Sequence, residues 1–358
     1  MSRSIKTLFS FVSFLLSISL VDTLAQGIVE PEKRTLVFLT WEDYIDEDLV
    51  REFEKKHNAI VEFVYFEHDE ERDDMVASPE GRIFDVILVD GQSMATYRRL
   101  KWLTPVTTAN VPNIKNYNNM WGEFRPESVG YSVPYAWGTA GIAYRKDLVN
   151  TPIDSLATLF NPPVELHNKI IMTPQILEMV PSALSFLGLD PNSTSTADLK
   201  RVETLLLAQR PYIQSYHGLV LDEESALVTG EASVAYAYNG DALTLQDFND
   251  NIAYVVPKEG SPLWIDFLVV PSKSFQKELA LSFLNFMSDS DVIAQNIETT
   301  YCASFNDIAN AKAPEKLRKN PIIFPSDISK LYFLAEPKPN AARKMTAILQ
   351  LLNTNGDY

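Results

Sequence analysis

Strand-like and helix-like segments alternate near the start of the chain, and this order limits the fold more than any other feature. Residues 35–40 and 60–65 have the composition of strands, and residues 84–89 form a nearly continuous apolar run, which is typical of a strand buried on both faces. Between the first two runs, acids at 46–48 precede a buried stripe and Lys55-Lys56, as expected for a helix. The order predicts a parallel sheet with right-handed crossovers.

A second α/β section follows residues 134–138, where small and aromatic residues interrupt the pattern. Ser195, three residues before Asp198, predicts the start of a helix with an apolar stripe. The other predicted elements of this section and of the return are strands at 170–172, 234–238, 252–256 and 267–270 and a helix at 279–287. The chain therefore builds one lobe, crosses into a second and returns, which predicts a hinge with a ligand between the lobes.

The first 25 residues have the features of an export signal. Arg3 and Lys6 precede an uncharged apolar run, Leu8–Leu20, and small residues follow at the position that a signal peptidase recognises. The run is short for a membrane span, although an uncleaved anchor helix is the alternative. We therefore predict a signal peptide at residues 1–25, a first lobe at 26–140 plus about 266–310, and a second lobe at 141–265 plus about 311–358.

Charge and cysteine content restrict the possible partners. The chain has 358 residues, enough for two lobes of ordinary size, and a formal net charge of −16, which argues against nucleic acid. An acidic chain suits a cationic ligand, although exported proteins are often acidic for solubility alone. Cys302 is the only cysteine, so an exported chain has no internal disulfide, and we expect this thiol to be buried and inert.

Three short strings place an aromatic ring beside a carboxylate where a predicted strand begins or ends. They are Trp41-Glu42-Asp43-Tyr44 after the first strand, Tyr238-Asn239-Gly240-Asp241 at the close of another, and Trp264-Ile265-Asp266 just before the returning strand. Aromatic faces attract organic cations, and carboxylates accept hydrogen bonds from ammonium groups. Three such strings, far apart in sequence, predict a cleft that holds a molecule with several amines. The pattern is typical of binding more than of catalysis.

Signatures of catalysis and of metal binding are missing from the sequence. There is no Gly-x-Ser-x-Gly elbow, no phosphate loop, no Gly-x-Gly-x-x-Gly after the first strand and no His-Glu-x-x-His. None of the four histidines has another histidine at ligand spacing, and the acidic run at 67–74 beside His68 is typical of a solvated helix start. We therefore predict no catalytic residue, no metal and no cofactor.

Several strings in a characteristic order carry a resemblance to a known family. They are Trp41-Glu42-Asp43-Tyr44, Phe84-Asp85-Val86, Pro134-Tyr135-Ala136-Trp137, residues 187–194, Asn239-Gly240-Asp241, Pro257-Lys258-Glu259-Gly260 and Trp264-Ile265-Asp266. With these strings, nearly the whole mature chain resembles the periplasmic polyamine-binding proteins that serve putrescine and spermidine uptake. Arg210-Pro211 with Tyr216-His217 is more similar to the putrescine-binding branch. The resemblance implies an α/β, two-lobed periplasmic binding protein fold of type II, each lobe a mainly parallel sheet flanked by helices, with the ligand cleft at the hinge.

The resemblance also implies which residues contact the ligand. They are Trp41, Asp43 and Tyr44 in the first lobe, Glu178, Tyr238 and Asp241 in the second, and Trp264 and Asp266 at the return crossing. The carboxylates would hold ammonium groups, and the rings would line the methylene chain. Asp90 is a further predicted contact, with a capping acid at the end of a strand as the alternative.

The chain departs from the family pattern at four places. Tyr238 stands where tryptophan is usual, and Asp90 stands where a smaller hydroxyl residue is usual. Near Pro174-Gln175 an acid of some members is missing, and Cys302 replaces a binding tyrosine, with Tyr301 one step away. One acid lost and one gained predict either a moved amine contact, and hence a different polyamine, or weaker binding.

We expect an exported, monomeric protein that closes on a linear polyamine of the putrescine, norspermidine or spermidine class and presents the closed form to a membrane partner. The partner is either the permease of an ABC transporter or a membrane signalling receptor, and the sequence does not separate the two. The alternatives from other classes are an enzyme that acts on amines or sugars in the same cleft and a receptor for a sugar. The acids in the aromatic strings argue against an anionic ligand.

Overall fold

The computed structural model describes residues 33–354, so the predicted signal peptide lies outside the described residues. This part of the chain is a mixed α/β structure. Its nine strands are β1 (Arg34–Thr40), β2 (Ala59–Tyr65), β3 (Val86–Asp90), β4 (Ser132–Arg145), β5 (Ile170–Ile171), β6 (Val234–Tyr238), β7 (Ile252–Val255), β8 (Ser261–Val269) and β9 (Leu331–Tyr332).

Fourteen α-helices accompany these strands within residues 33–354. They are α1 (Glu47–His57), α2 (Asp69–Ala77), α3 (Met94–Arg99), α4 (Met120–Phe124), α5 (Ala157–Phe160), α6 (Ile176–Phe186), α7 (Thr196–Gln209), α8 (Ala226–Thr229), α9 (Asn239–Gln246), α10 (Lys277–Met287), α11 (Ser290–Thr300), α12 (Asp307–Lys312), α13 (Glu315–Arg318) and α14 (Pro339–Thr354). None of these helices has the length and apolar character that a membrane span needs.

Strand β4 connects the two halves of the sheet. The strands follow the order β2-β1-β3-β8-β4-β6-β5, with β7 beside β4 and β9 beside β8. Residues 132–139 of β4 pair with β8, and residues 140–145 pair with β6 and β7. One continuous strand of 14 residues therefore belongs to both halves, and the predicted crossing at 134–138 lies inside it.

Strand directions differ between the outer and the central strands. β1 and β3 are parallel, and so are β5 and β6. β8 runs antiparallel to β3 and β4, and β4 also runs antiparallel to β6 and β7. The expected parallel pairing therefore describes the outer pairs. The central strands differ because β4 carries the chain from one half to the other and β8 carries it back in the opposite direction.

Local signals place the first helix as the sequence predicts. The Asp46 carboxylate accepts a hydrogen bond from the backbone N–H of Asp48 at 2.7 Å, which caps the first turn of α1. Asn58 ends the helix in the left-handed conformation, with φ 47°. Phe53 and its apolar neighbours on the same stripe are buried. Ser195 caps α7 in the same way.

The predicted strands agree with the structure except at the return crossing. The predictions for β1, β2, β6 and β7 are correct to within one residue at each end. β8 is longer than predicted, because residues 132–139 of β4 pair with it apart from an irregularity between Pro134 and Ala136. Trp264 and Asp266 therefore lie inside a strand, and the prediction that they precede one is wrong. β3 pairs with β8 only from Asp266 onward. The residues of β8 that precede Asp266 therefore have no partner in β3.

Buried apolar side chains form two sets, one on each half of the sheet. The first set includes Phe38, Phe53 and Phe283, which pack β1 against α1 and α10. The second set packs β5 and β6 against α6, α7 and α14. Leu317 packs with the first half and Ile348 with the second. The two-lobed fold is therefore built on two cores, and the lobe boundaries themselves stay a prediction.

Phe283 provides a test of the first core. Its ring centroid lies 5.5 Å from that of Phe38 and 5.0 Å from that of Phe53, and the side chain is fully buried. We expect Phe283→Ala to lower the free energy of unfolding by ~3–5 kcal/mol, because the change removes buried apolar area and leaves a cavity. Urea denaturation measures the loss. Phe275→Ala is the control, since that side chain is 79% exposed. Equal effects of the two substitutions would contradict the packing described.

Candidate functional site

Strand β4 brings three site residues onto one face of the sheet. Its alternate residues Ala136, Gly138 and Ala140 are small, and alternate residues of a strand point to the same face. Each lies directly opposite a predicted site residue: Asp266 opposite Ala136, Trp264 opposite Gly138, and Tyr238 opposite Ala140. Strings that are distant in sequence become neighbours because one strand pairs with both β6 and β8.

Gly138 leaves room for the groups on either side of it. A Cβ at this position would lie 2.1 Å from Asn239 Oδ1 and 2.4 Å from the Trp264 ring. The Asn239 side chain accepts a hydrogen bond from the backbone N–H of Thr139 at 2.9 Å, which holds the first turn of α9 against β4. Because only glycine permits this approach, the position of Asp241 in the same turn depends on Gly138.

A chain of hydrogen bonds holds Asp266 in place. The Tyr44 hydroxyl donates to Asp266 Oδ2 at 3.1 Å. The Tyr135 hydroxyl donates to the backbone carbonyl oxygen of Tyr44, and the two rings lie 5.4 Å apart. The Asn296 amide donates to the Tyr135 hydroxyl at 2.9 Å. Tyr135 therefore orients a residue that touches a site carboxylate.

Glu178 reaches the site from the first turn of α6. The Tyr238 hydroxyl donates to Glu178 Oε1, and the Tyr238 ring lies edge to face with Trp264 at a centroid distance of 6.1 Å. Glu178 Oε2 and Trp264 Nε1 are buried and have no hydrogen-bond partner within the described protein. Buried polar atoms are normally paired, so two unpaired ones in the same place indicate a site that recognises a polar ligand.

Burial raises the pKa of three site carboxylates. Desolvation raises the pKa of Asp241 to about 7. It raises the pKa of Asp266 to about 7 with a contribution from the nearby charge of Asp90, while the Tyr44 hydrogen bond opposes the change. The pKa of Glu178 also rises to about 7 through desolvation, with smaller contributions from neighbouring carboxylates. Like charges that are shielded from water resist ionisation together.

The site carries negative charge that the protein does not compensate directly. No lysine or arginine within residues 33–354 forms an ion pair with Glu178, Asp241 or Asp266. Arg72 lowers the pKa of Asp266 only as a minor effect at longer range. In the same part of the chain, no group of three or more His, Cys, Asp or Glu side chains is arranged to hold a metal ion. Carboxylates without a protein cation beside them are suited to accept hydrogen bonds from an organic cation.

Asp90 is engaged by the protein itself. Its Oδ1 accepts hydrogen bonds from the backbone N–H groups of Gln92 and Ser93 at 2.8 and 3.0 Å. Its Oδ2 lies 2.8 Å from Arg72 Nη2. Burial acts to raise the pKa of Asp90, but the charge of Arg72 and the hydrogen bonds from Ser93 lower it below its usual value. This is the capping arrangement that the sequence offers as the alternative, and contact of Asp90 with a ligand stays a prediction.

Within residues 33–354, neither Trp41 nor Asp43 forms a hydrogen bond or ion pair with the buried carboxylates. Trp41 packs on Phe66 with a centroid distance of 4.3 Å. Asp43 is exposed and has a left-handed backbone, with φ 54°. After burial, the charges of Glu42 and Asp43 contribute to a raised pKa of Tyr65. Contacts and charge interactions join the other predicted site residues to one another, whereas Trp41 and Asp43 are not joined to them in this way.

Arg72 is the main residue that sequence reasoning missed. The acidic run at 67–74 is predicted as a solvated helix start, and α2 does begin at Asp69. However, the Arg72 side chain is 1% exposed and forms ion pairs with Asp69 and Asp73 of its own helix. A single arginine within an acidic run is the signal that could have indicated this buried network.

Cys302 is buried, as predicted, beneath the first turn of α9. It is 4% exposed, and its Sγ donates to the backbone carbonyl oxygen of Thr300 at 3.0 Å. A Cβ added to Gly240 would lie 3.3 Å from this sulfur, so the two small residues pack closely. The neighbouring Tyr301 donates its hydroxyl to Asp247 at 2.8 Å and does not bond a site carboxylate.

A two-lobed α/β structure with buried carboxylates and rings at its crossing strands defines a solute-binding protein. The chain belongs to a family of bacterial extracellular solute-binding proteins, whose family model matches residues 48–325. It is 26% identical to the putrescine-binding periplasmic protein of Pseudomonas aeruginosa strain UCBPP-PA14 over 357 residues, which cover 94% of this chain and 96% of that protein.

Two further proteins extend this similarity. A norspermidine sensor of Vibrio cholerae serotype O1 is 30% identical over 288 residues, which cover 79% of this chain and 78% of that protein. The structure of a spermidine/putrescine ABC transporter substrate-binding protein from Streptococcus pneumoniae matches with a TM-score of 0.77 at 22% identity, covering 90% of this chain and 99% of that one. The predicted two-lobed fold is confirmed.

The raised pKa values predict how the stability of the ligand-free protein depends on pH. These carboxylates have pKa values of about 4 in an unfolded chain, against about 7 in the folded protein. Between these values the folded state binds more protons, so the free energy of unfolding should fall as pH rises from about 4 to about 7. Urea unfolding across this range measures the slope. Asp266→Asn removes one of the groups and should give a shallower fall, whereas an unchanged slope would contradict the raised pKa.

Proposed function

We propose that this protein binds a linear polyamine of the putrescine, norspermidine or spermidine class. The observation that carries the proposal is the set of three buried carboxylates, Glu178, Asp241 and Asp266, beside the rings of Tyr238 and Trp264. Two or three ammonium groups would compensate the carboxylates, and the methylene chain between them would pack on the rings. The ligands named for the two relatives support the same class.

Rings and carboxylates would contribute to binding in different ways. Burial of four methylene groups at ~0.8 kcal/mol each supplies ~3 kcal/mol but discriminates little between amines. Each charge-assisted hydrogen bond contributes ~1.5–3 kcal/mol and requires an ammonium group at a defined place. The positions of the carboxylates would therefore determine which amine fits, and the rings would mainly set the affinity.

The charge of the site argues against the other ligand classes. An anion would add like charge to three buried carboxylates, and a sugar would leave their charge uncompensated. Carboxylates with pKa values of about 7 are suited to acid–base chemistry. Membership of a solute-binding family supports binding without catalysis, and we propose that role for the site.

Asp266 and Asp241 test the ligand class directly. We expect Asp266→Asn and Asp241→Asn each to weaken putrescine binding at least ~100-fold, because each change leaves a buried ammonium group without its charged partner. Isothermal titration calorimetry measures the affinity, with spermidine and norspermidine titrated in parallel.

Asp250→Asn is the matched control for these two substitutions. Asp250 is an exposed aspartate beyond the end of α9, so its loss removes the same charge far from the rings and should leave the affinity within about twofold. If all three variants bound the amine as tightly as the wild-type protein does, the site assignment would be wrong.

We propose that the mature protein is exported to the periplasm, is monomeric and presents its closed form to the permease of an ABC transporter. The predicted signal at residues 1–25 and the similarity to periplasmic proteins support export. The hinge that β4 and β8 form supports closure around a ligand, because the two strands join the halves.

A sensory role is the second candidate function. The 30% identity to a norspermidine sensor favours it, because the same cleft would serve a signalling receptor. Uptake of labelled putrescine by cells that lack the gene separates the two roles. We expect uptake to fall and to recover with the wild-type gene but not with the Asp266→Asn gene. Unchanged uptake, together with amine binding by the purified protein, would contradict transport and support sensing.

A further inference from the structure

The Arg72 guanidinium is enclosed by acceptors behind the site. The side chain is 1% exposed, and Nη1 lies 2.6 Å from Asp69 Oδ1. Nη2 lies 2.8 Å from both Asp73 Oδ1 and Asp90 Oδ2, and donates to Ser93 Oγ at 3.0 Å. An arginine is suited to this place because its planar fork presents five N–H donors in a fixed geometry. Arg72 therefore keeps its positive charge next to Asp90 at all ordinary pH values.

Two contacts connect Arg72 with the site. The guanidinium carbon lies 5.6 Å from the centroid of the Phe66 ring, which packs on Trp41. Asp90, its ion-pair partner, lies directly opposite Asp266 in the antiparallel pairing of β3 with β8. Side chains that are directly opposite share a face, with Cβ atoms about 4.5–5.5 Å apart. Arg72 therefore neutralises the immediate neighbour of a site carboxylate.

The bonds that Asp90 forms in this structure are all to groups of the protein itself. The carboxylate of Asp90 would otherwise be a fourth one in the site, directly beside that of Asp266. Backbone N–H groups fill its Oδ1, and Arg72 occupies its Oδ2. The Asp90 side chain is nevertheless 20% exposed, so it is not fully enclosed by the protein.

We propose that Arg72 is a specificity-determining residue, which withdraws Asp90 from the ligand and restricts the site to amines with two or three positive charges. The inference rests on the polyamine-binding function proposed above. If Arg72 loses its charge, Asp90 becomes available for a further ammonium group, and selectivity moves towards a longer amine with four charges, such as spermine. Arg72 acts through Asp90 and is not itself a ligand contact.

The ratio of spermine to putrescine affinity tests this role. Calorimetric titrations of the purified protein with putrescine, spermidine and spermine give the ratio for each variant. We expect Arg72→Gln to raise it ~10-fold or more, because one charge-assisted contact is added for the longer amine only. Arg72→Lys loses the planar fork but keeps a positive charge beside Asp90, so it should leave the ratio within about threefold of wild type if the charge is what withdraws Asp90.

A double variant shows whether Asp90 carries the effect. Arg72→Gln combined with Asp90→Asn removes both charges together and should return the ratio to that of the wild-type protein. An unchanged ratio in a folded Arg72→Gln variant overturns the inference. A raised ratio that persists in the double variant also overturns it, because the gain would then come from another group.

Asp90→Asn alone decides the question if circular dichroism shows that Arg72→Gln does not fold. This change leaves the charge of Arg72 less compensated, so the affinity for spermine should fall more than that for putrescine. An equal or larger loss for putrescine would mean that Asp90 itself binds the ligand, which overturns the inference. Wild-type protein that binds no amine overturns the proposed function as well, whereas amine binding with unchanged ratios overturns the specificity role alone.

Discussion

The pairing of β4 with β8 is the interaction on which the rest of the structure depends. Both strands belong to the crossing between the halves, and β4 continues into its pairing with β6 and β7. Each half has its own buried core, and the two halves share these two strands. The alternate small residues of β4 then leave room for rings and carboxylates from both sides. The site lies where neither half is complete without the other.

The carboxylates oppose stability at the place where we propose that the ligand binds. Three acids with pKa values of about 7 are held in positions where water does not fully solvate their charge. The two cores offset this unfavourable burial, and a cationic ligand would remove it. Arg72 shows the alternative solution to the same problem, because the protein supplies its own cation for Asp90. The guanidinium of Arg72 and the ammonium groups of a ligand would thus lie in the same acidic region.

Local signals in the sequence are enough to predict most of the elements. The caps of α1 and α7 depend on residues close together in the chain, and the structure agrees with both. The length of β8 was not predictable in this way, because it is set by pairing with a strand more than a hundred residues away. The burial of Arg72 was missed because its charge suggested solvent, whereas the ion pairs with Asp69, Asp73 and Asp90 explain it.

Alternating elements and ring–carboxylate strings are local features, so the order of residues is enough to indicate the class of fold and the chemical nature of the candidate site. It also led to the resemblance through which Glu178 was identified. Only the tertiary structure decided which acids share the site. Strand register places Asp266 beside Asp90. Arg72 then forms an ion pair with Asp90, whereas Asp266 has no such partner within the described residues. Charge compensation depends on the distances between charged groups that are remote in the chain. Composition and spacing along the sequence do not give these distances.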